Sequence, residues 1–259
     1  MPDPFMTLGR FTLSTYTALL ALGVLASSGA LALAYRWRYR RPVGPLVDAC
    51  LGALLGGVLL ARAGHVLLHR YYFEIHPDEI IQLSAGGLDW HGALIGGLLG
   101  FVLVSRWRGL DARPLFDWLA LVVPLLALLA WWGCGAAHCA YGAEVETLAD
   151  HPGWLVWEAA DVYNIRAPRY AVQPLGMALS GALLLVMLGL AWRGWLRGRR
   201  LGIAMLGLAL GMFALGFLRG DYNPSAGPLR ADQALDLLVA AGGLALLILP
   251  PRVPGPPTG

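Results

Sequence analysis

The chain has 259 residues, of which 58% are hydrophobic and 14% charged, with a formal net charge of +3. That balance excludes a soluble enzyme built around a large core and indicates an all-α integral membrane protein. Every basic residue is arginine, so where the charge sits says more than its sign.

Seven membrane spans are expected in chain order, at roughly 11–35, 43–61, 91–105, 114–133, 171–192, 201–218 and 235–250. Residues 16–35 and 171–192 are uncharged and long enough to cross a hydrocarbon core of about 30 Å as helices. The apolar runs lack the two-residue alternation of a membrane barrel. Residues 1–10 lack the basic start of a cleavable signal peptide, so the first apolar segment reads as a retained span. Short connections at 36–41, 106–113 and 193–200, with Arg252, hold 12 of the 19 arginines. The positive-inside rule assigns them to the cytoplasm, with the N-terminus outside and the C-terminus inside. The longer segments 62–90, 134–170 and 219–234 carry most of the Asp, Glu, His, Tyr and Pro, which puts the chemistry on the outer face. One polytopic domain is expected over 1–259, with a Pro/Gly-rich, disordered tail at about 250–259.

His91 sits in Gly86-Gly87-Leu88-Asp89-Trp90-His91-Gly92 at the mouth of a span. An ionisable group at that depth reads as a general base or a ligand for an anionic headgroup, or as an interfacial histidine bonded to a carbonyl. Gly96 and Gly100 have the small-x-x-x-small spacing of close helix packing. Arg62, His65, His69 and Arg70 follow the second span. The two histidines share a helix face but lack the Glu of a metalloprotease motif, so no metal is expected and an interfacial anchor is favoured, with Arg62 suited to phosphate. Asp117 lies inside the fourth span, as a helix-to-helix tether or a catalytic group. Cys134 and Cys139 are five apart on the outer side, where a disulfide or a packing role stays open, while Cys50 reads as a buried hydrophobe. Arg219 leaves the sixth span either snorkelling to lipid phosphates or binding a substrate phosphate. No nucleotide or serine-hydrolase motif is present.

Several of these segments occur in one order: Phe11-Thr12-Leu13-Ser14-Thr15-Tyr16, Ala61-Arg62-Ala63-Gly64-His65-Val66, His76-Pro77-Asp78-Glu79-Ile80, the 86–97 run with its histidine, Asp117 with Pro124, Gln173, Gln233 and Phe217-Leu218-Arg219-Gly220-Asp221. In this the chain resembles the prolipoprotein diacylglyceryl transferase family. The resemblance implies a seven-span enzyme of the bacterial inner membrane, with its active site on the outer side. Such an enzyme moves a diacylglyceryl group from phosphatidylglycerol, or a related anionic phospholipid, to the lipobox cysteine of a prolipoprotein signal peptide and releases glycerol phosphate. It implies His91 as the base for the thiol, Tyr16 and Arg219 as headgroup ligands, Arg62 as a helper and Gln173 as a further site residue. Gly142 would let a loop backbone pack on the substrate. No metal, organic cofactor or nucleic acid is implied.

Aligned on Gly133 and Gly142, this chain carries Trp131 for the family's Arg, Cys134 for its Asn and Cys139 for its Glu. Aligned on Arg219, Met212 and Gly216 stand where a further Arg and a Glu belong. Neither Trp nor Met replaces a bidentate phosphate contact. Two alternatives therefore stand beside the transferase: a catalytically altered paralogue that binds lipid or lipopeptide, and a thiol-redox protein, although the cysteines lack C-x-x-C spacing.

Overall fold

A computed structural model of the chain describes residues 4–8, 11–83 and 86–248. The 250–259 tail expected to be disordered lies outside the described residues. Seven long helices are present among those residues: α1 (Thr15–Tyr39), α2 (Gly44–Leu68), α4 (Trp90–Trp107), α5 (Phe116–Ala137), α6 (Val172–Trp192), α7 (Arg200–Gly216) and α8 (Ala231–Ile248), with a short α3 (Arg70–Ile75) after α2. Among the described residues, five segments are long and apolar enough to cross a membrane: α1, α2, α5 with the turn before it, α6 and α8.

The described residues are mostly helical, as expected, with short strands in the connections. Three small antiparallel pairs are formed, β1 (Pro4–Leu8) with β2 (Phe11–Ser14), β3 (Val156–Ala160) with β4 (Arg166–Tyr170), and β5 (Ser225–Ala226) with β6 (Leu229–Arg230). The β3–β4 turn has a local cause. Asp161 Oδ1 accepts hydrogen bonds from the Tyr163 and Ile165 amides, and Asn164 takes up the left-handed conformation at φ 63°. Short polar side chains that bond forward to the backbone favour that geometry.

Helix boundaries move where side chains satisfy backbone. α1 starts at Thr15 rather than 11, because Ser14 caps it by accepting from the Thr17 amide. α2 runs past 61 to Leu68, since the polar Arg62 finds hydrogen-bond acceptors and does not end the helix. α8 begins at Ala231, ahead of the apolar run, with Asp232 in its first turn. An acidic group there suits the positive end of the helix dipole.

α2 and α4 pack along a seam of small residues. A Cβ at Gly92 would overlap the Leu60 carbonyl, one at Gly96 the Gly56 carbonyl, and one at Gly100 the Gly52 carbonyl. The stripe at every fourth position lets the two backbones touch. The arginine-rich ends of the helices are joined separately. Arg108 pairs with Asp48 at 2.7 Å, and both carboxylate oxygens of Asp117 accept from the Gly198 amide, at 2.9 and 2.8 Å. Asp117, in the first turn of α5, thus ties that helix to the segment preceding α7.

A side chain in the seam forces apart two backbones, and overpacking typically costs about 1–3 kcal/mol. Gly96→Val is expected to lower the thermal unfolding midpoint of the detergent-solubilised protein. Gly29→Ala, at a position with open space around it, is expected to leave the midpoint unchanged or raise it. Equal midpoints for the two variants would contradict the close seam.

Candidate functional site

Tyr16, Arg62, His91, Cys134, Cys139, Gly142, Gln173, Arg219 and Gln233 fall at one end of the helices: the start of α1, the ends of α2, α5 and α7, and the starts of α4, α6 and α8; Asp117 lies at the other. His91 is deeply enclosed, at 2% exposed. Asp89 begins α4, accepting from the Gly92 amide through Oδ1 and meeting His91 Nδ1 through Oδ2 at 2.9 Å. The opposite ring nitrogen, Nε2, is 2.9 Å from Asp236 Oδ1 on α8. Trp90 lies against the ring, with centroids 4.2 Å apart. The histidine bonds neither a carbonyl nor open solvent: two carboxylates bracket it, and the base role implied for it requires one of them to let go.

Arg62 is committed to backbone. Its Nε donates to the Ile80 carbonyl at 2.8 Å, one terminal nitrogen to Gly86 and Gly87, and the other to Glu79. The guanidinium also lies 5.2 Å from the Phe73 ring centre. With four carbonyl partners and the residue 8% exposed, it ties positions 79, 80, 86 and 87 to the end of α2. The Asp89 amide donates to the Ala61 carbonyl next door, so the tether and the histidine's first partner share one turn of chain. His65 and His69 stack at 4.3 Å, and His69 Nδ1 meets the His65 carbonyl, an arrangement of helix packing rather than of metal ligation.

Arg219 stands in a four-membered ion network. It bonds Asp221 through Nε at 2.8 Å and Asp232 at 3.1 Å, and Arg230 in turn pairs with Asp232 at 3.1 Å and Asp221 at 3.5 Å. Burial opposes the charge on Arg219, but the Asp221 and Asp232 carboxylates outweigh it and raise its pKa above the usual arginine value. Arg219 and Arg230, with Gln233, Phe217 and Gly216, line a cavity of about 300 Å³. Gln233 closes its wall by accepting from the Arg230 amide and donating to the Phe213 carbonyl. Asp232 and Asp236 are one helical turn apart on α8, so the network and the bracketed histidine share a helix face.

The remaining expected residues form a third group. Cys134 and Cys139 are joined in a disulfide across the end of α5. The Cys139 carbonyl accepts from Gln173 Nε2 at 3.0 Å, which binds the start of α6 to that loop. Gln173 thus cross-links the start of α6 to that loop through Nε2. Gly142 presses on the Tyr170 backbone, with no room for a Cβ, and bridges to Arg219 as the Ala143 and Gly220 amides donate to Leu218 and Tyr141. Tyr16 packs on Gly133, where a Cβ would strike its ring and Cα.

Trp131 and Met212 share one apolar environment. Trp131, Val172 and Leu215 are buried together, Met212 packs against them, and Gly176 makes space for the indole. Positions that would carry cations in the resemblance are thus filled by hydrophobic packing.

Asp236, Asp232 and Arg230 escaped the sequence reading, as did Asp89 in its role as ring partner. A signal was available: two carboxylates four residues apart at the start of an apolar helix are expensive near lipid and mark a site.

The family model for prolipoprotein diacylglyceryl transferase matches residues 4–249. A protein of Limosilactobacillus reuteri (strain DSM 20016), named phosphatidylglycerol–prolipoprotein diacylglyceryl transferase, is 27% identical over 247 residues, 93% of this chain and 88% of its own. Proteins of the same name from Bordetella avium (strain 197N) and Methylocella silvestris (strain DSM 15510) are 30% and 29% identical, covering 84% and 92% of this chain and 84% and 88% of their own. With a match that runs almost end to end and relatives aligned over most of both chains, this polytopic helical protein belongs to the prolipoprotein diacylglyceryl transferase family.

Proposed function

We propose that the chain transfers a diacylglyceryl group from phosphatidylglycerol to the lipobox cysteine thiol of a prolipoprotein, at the outer face of a bacterial inner membrane. Family membership supports the reaction class. The observation that carries the reading for this chain is the pairing of Arg219 and Arg230 in one cavity, on the same face of α8 as the bracketed His91. All seven long helices cross the membrane in this reading, as a single domain. The arginine-rich ends lie in the cytoplasm by the positive-inside rule, with the N-terminus outside and the C-terminus inside.

A phosphodiester entering the cavity meets two guanidinium groups already oriented by Asp221 and Asp232. Planar, pre-organised donors of this kind suit phosphate oxygens. The acceptor sulfur attacks the glyceryl carbon that carries the phosphoester oxygen. A C–S bond forms, the C–O bond breaks, and the electron pair leaves on glycerol phosphate. The thiol must give up its proton, since its free pKa is about 8.5, and His91 is the motif-matched base. Tyr16 belongs to the headgroup side of the site, against Gly133 at the outer end of α5. No step calls for a metal or an organic cofactor.

A second reading, a lipid- or lipopeptide-binding paralogue without turnover, is favoured by the apolar packing of Trp131 and Met212.

The deciding assay is conversion of a prolipoprotein peptide by the detergent-solubilised protein supplied with phosphatidylglycerol. Turnover by wild type is expected; its absence, under conditions where a relative works, would leave the binding reading. Given turnover, His91→Gln is expected to lose about 10²–10⁴-fold in rate. Hydrogen bonds to charged groups are worth about 1.5–3 kcal/mol, so Arg219→Gln and Arg230→Gln are each expected to raise KM for the lipid about 10–100-fold. Unchanged KM in both would remove the cavity from the site. Arg62→Gln is expected to act differently, lowering thermal stability by loss of its carbonyl contacts.

Orientation has its own test. A cysteine placed at position 197, with the native cysteines replaced, is expected to resist membrane-impermeant reagents added from outside. Labelling there would put the proposed site on the wrong side.

A further inference from the structure

The bracketed histidine carries a consequence for proton bookkeeping. Each of its contacts, to Asp89 Oδ2 and to Asp236 Oδ1, is 2.9 Å long, and each needs a hydrogen between nitrogen and oxygen. A neutral imidazole has only one N–H to give. Its other nitrogen would then set a lone pair against a carboxylate oxygen, in a place where His91 is 2% and Asp236 3% exposed. Water is not at hand to relieve that repulsion, and an unpaired buried charge is costly. Among the described residues no other side chain donates to the ring. From α2, His65 stands near Asp89, and Arg62 near His65; on the other side Asp236 feels Asp232 of α8 and Arg219. Trp90 covers the ring face.

We infer that Asp236 is a positioning residue for His91, and that Asp89, His91 and Asp236 form one unit that holds two protons at rest, both on the ring nitrogens. Imidazole nitrogen is more basic than a carboxylate, so the resting ring is an imidazolium between two carboxylates, and the unit carries a net single negative charge. Asp89 lies two residues from the ring and is set by the helix start; Asp236 comes from α8, at a sequence separation of 145. The inter-helix contact is therefore the one that reports whether α4 and α8 are in register.

This deepens the transferase reading and rests on it for its kinetic part only. A ring that holds both protons does not accept a third. His91 becomes a base only after the unit loses one proton to solvent, and Asp236 sets which nitrogen is then bare: Nε2, facing α8, because Nδ1–H stays with Asp89. Removing the Asp236 charge while keeping its shape removes the need for the second proton.

The test is nitrogen NMR of protein labelled at histidine, full length in detergent, with the His91 signals identified by their loss in His91→Gln. In wild type at neutral pH both ring nitrogens of His91 are expected to be of the protonated type. In Asp236→Asn one is expected to become bare while the other stays protonated. A wild-type spectrum with one bare nitrogen overturns the inference, and it does so with no variant and no activity required. Asp236→Asn with both nitrogens still protonated also overturns it. In the peptide-transfer assay, Asp236→Asn is expected to shift the acidic limb of the kcat–pH profile to lower pH and to change KM for phosphatidylglycerol less than twofold. An unshifted limb overturns the positioning role. Absence of turnover in wild type defeats the transferase reading instead, and the spectra still decide the proton count.

Discussion

A contact between two carboxylates and a histidine, buried between helices, constrains the whole site-bearing end of this protein. His91 and Asp236 are nearly sealed from solvent and the Asp89 side chain is 9% exposed, and each is expensive at that depth unless its partners are in place. Removing one member of such a buried set typically costs about 3–5 kcal/mol, because the others are left unpaired. The contact therefore requires α4 to begin at a fixed point, with Asp89 as its cap, and α8 to bring its second acidic residue to the same level. The glycine seam meets part of that demand, since the α2 and α4 backbones touch and hold the start of α4 at a set height. Arg62 meets another part by pinning the preceding loop through four carbonyls.

Arginine does several different jobs at this end, and the hydrogen-bond partners separate them. Arg62 donates to backbone and organises a loop. Arg169 is buried against Asp161, where it braces the β3–β4 hairpin. Arg219 and Arg230 face a cavity and are held by Asp221 and Asp232. Of these, Arg219 and Arg230 line a cavity, and in the proposed reaction that is where a phosphate sits. Meanwhile Trp131 and Met212 have joined the apolar packing between helices.

Much of this was legible in the sequence because membranes simplify the problem. Apolar runs gave all seven long helices to within a few residues at most ends, and the 86–92 run pointed at His91. The misses share a cause. Helix ends at Ser14, Arg62 and Asp232 depend on which backbone groups a polar side chain satisfies, and hydropathy does not report that. The β3–β4 hairpin depends on one Asx-type turn at Asp161, inside a segment with no strong strand pattern. The backbone partners of Arg62 are carbonyls 17–25 residues away, which residue type and depth do not report. Asp236 lies 145 positions from His91, and no local pattern links the two; only the oddity of acidic residues opening an apolar helix hinted at it.

The central claim is that this outer end performs diacylglyceryl transfer with the residues it has, despite the loss of cations at 131 and 212. Expression in a bacterium depleted of its own transferase tests it most directly, with lipoprotein maturation followed by the mobility and mass of a reporter lipoprotein. Restored maturation by the wild-type chain, and loss of it on His91→Gln at equal membrane abundance, is the result the account predicts. A wild-type chain that accumulates in the membrane and leaves the reporter unmodified would contradict it.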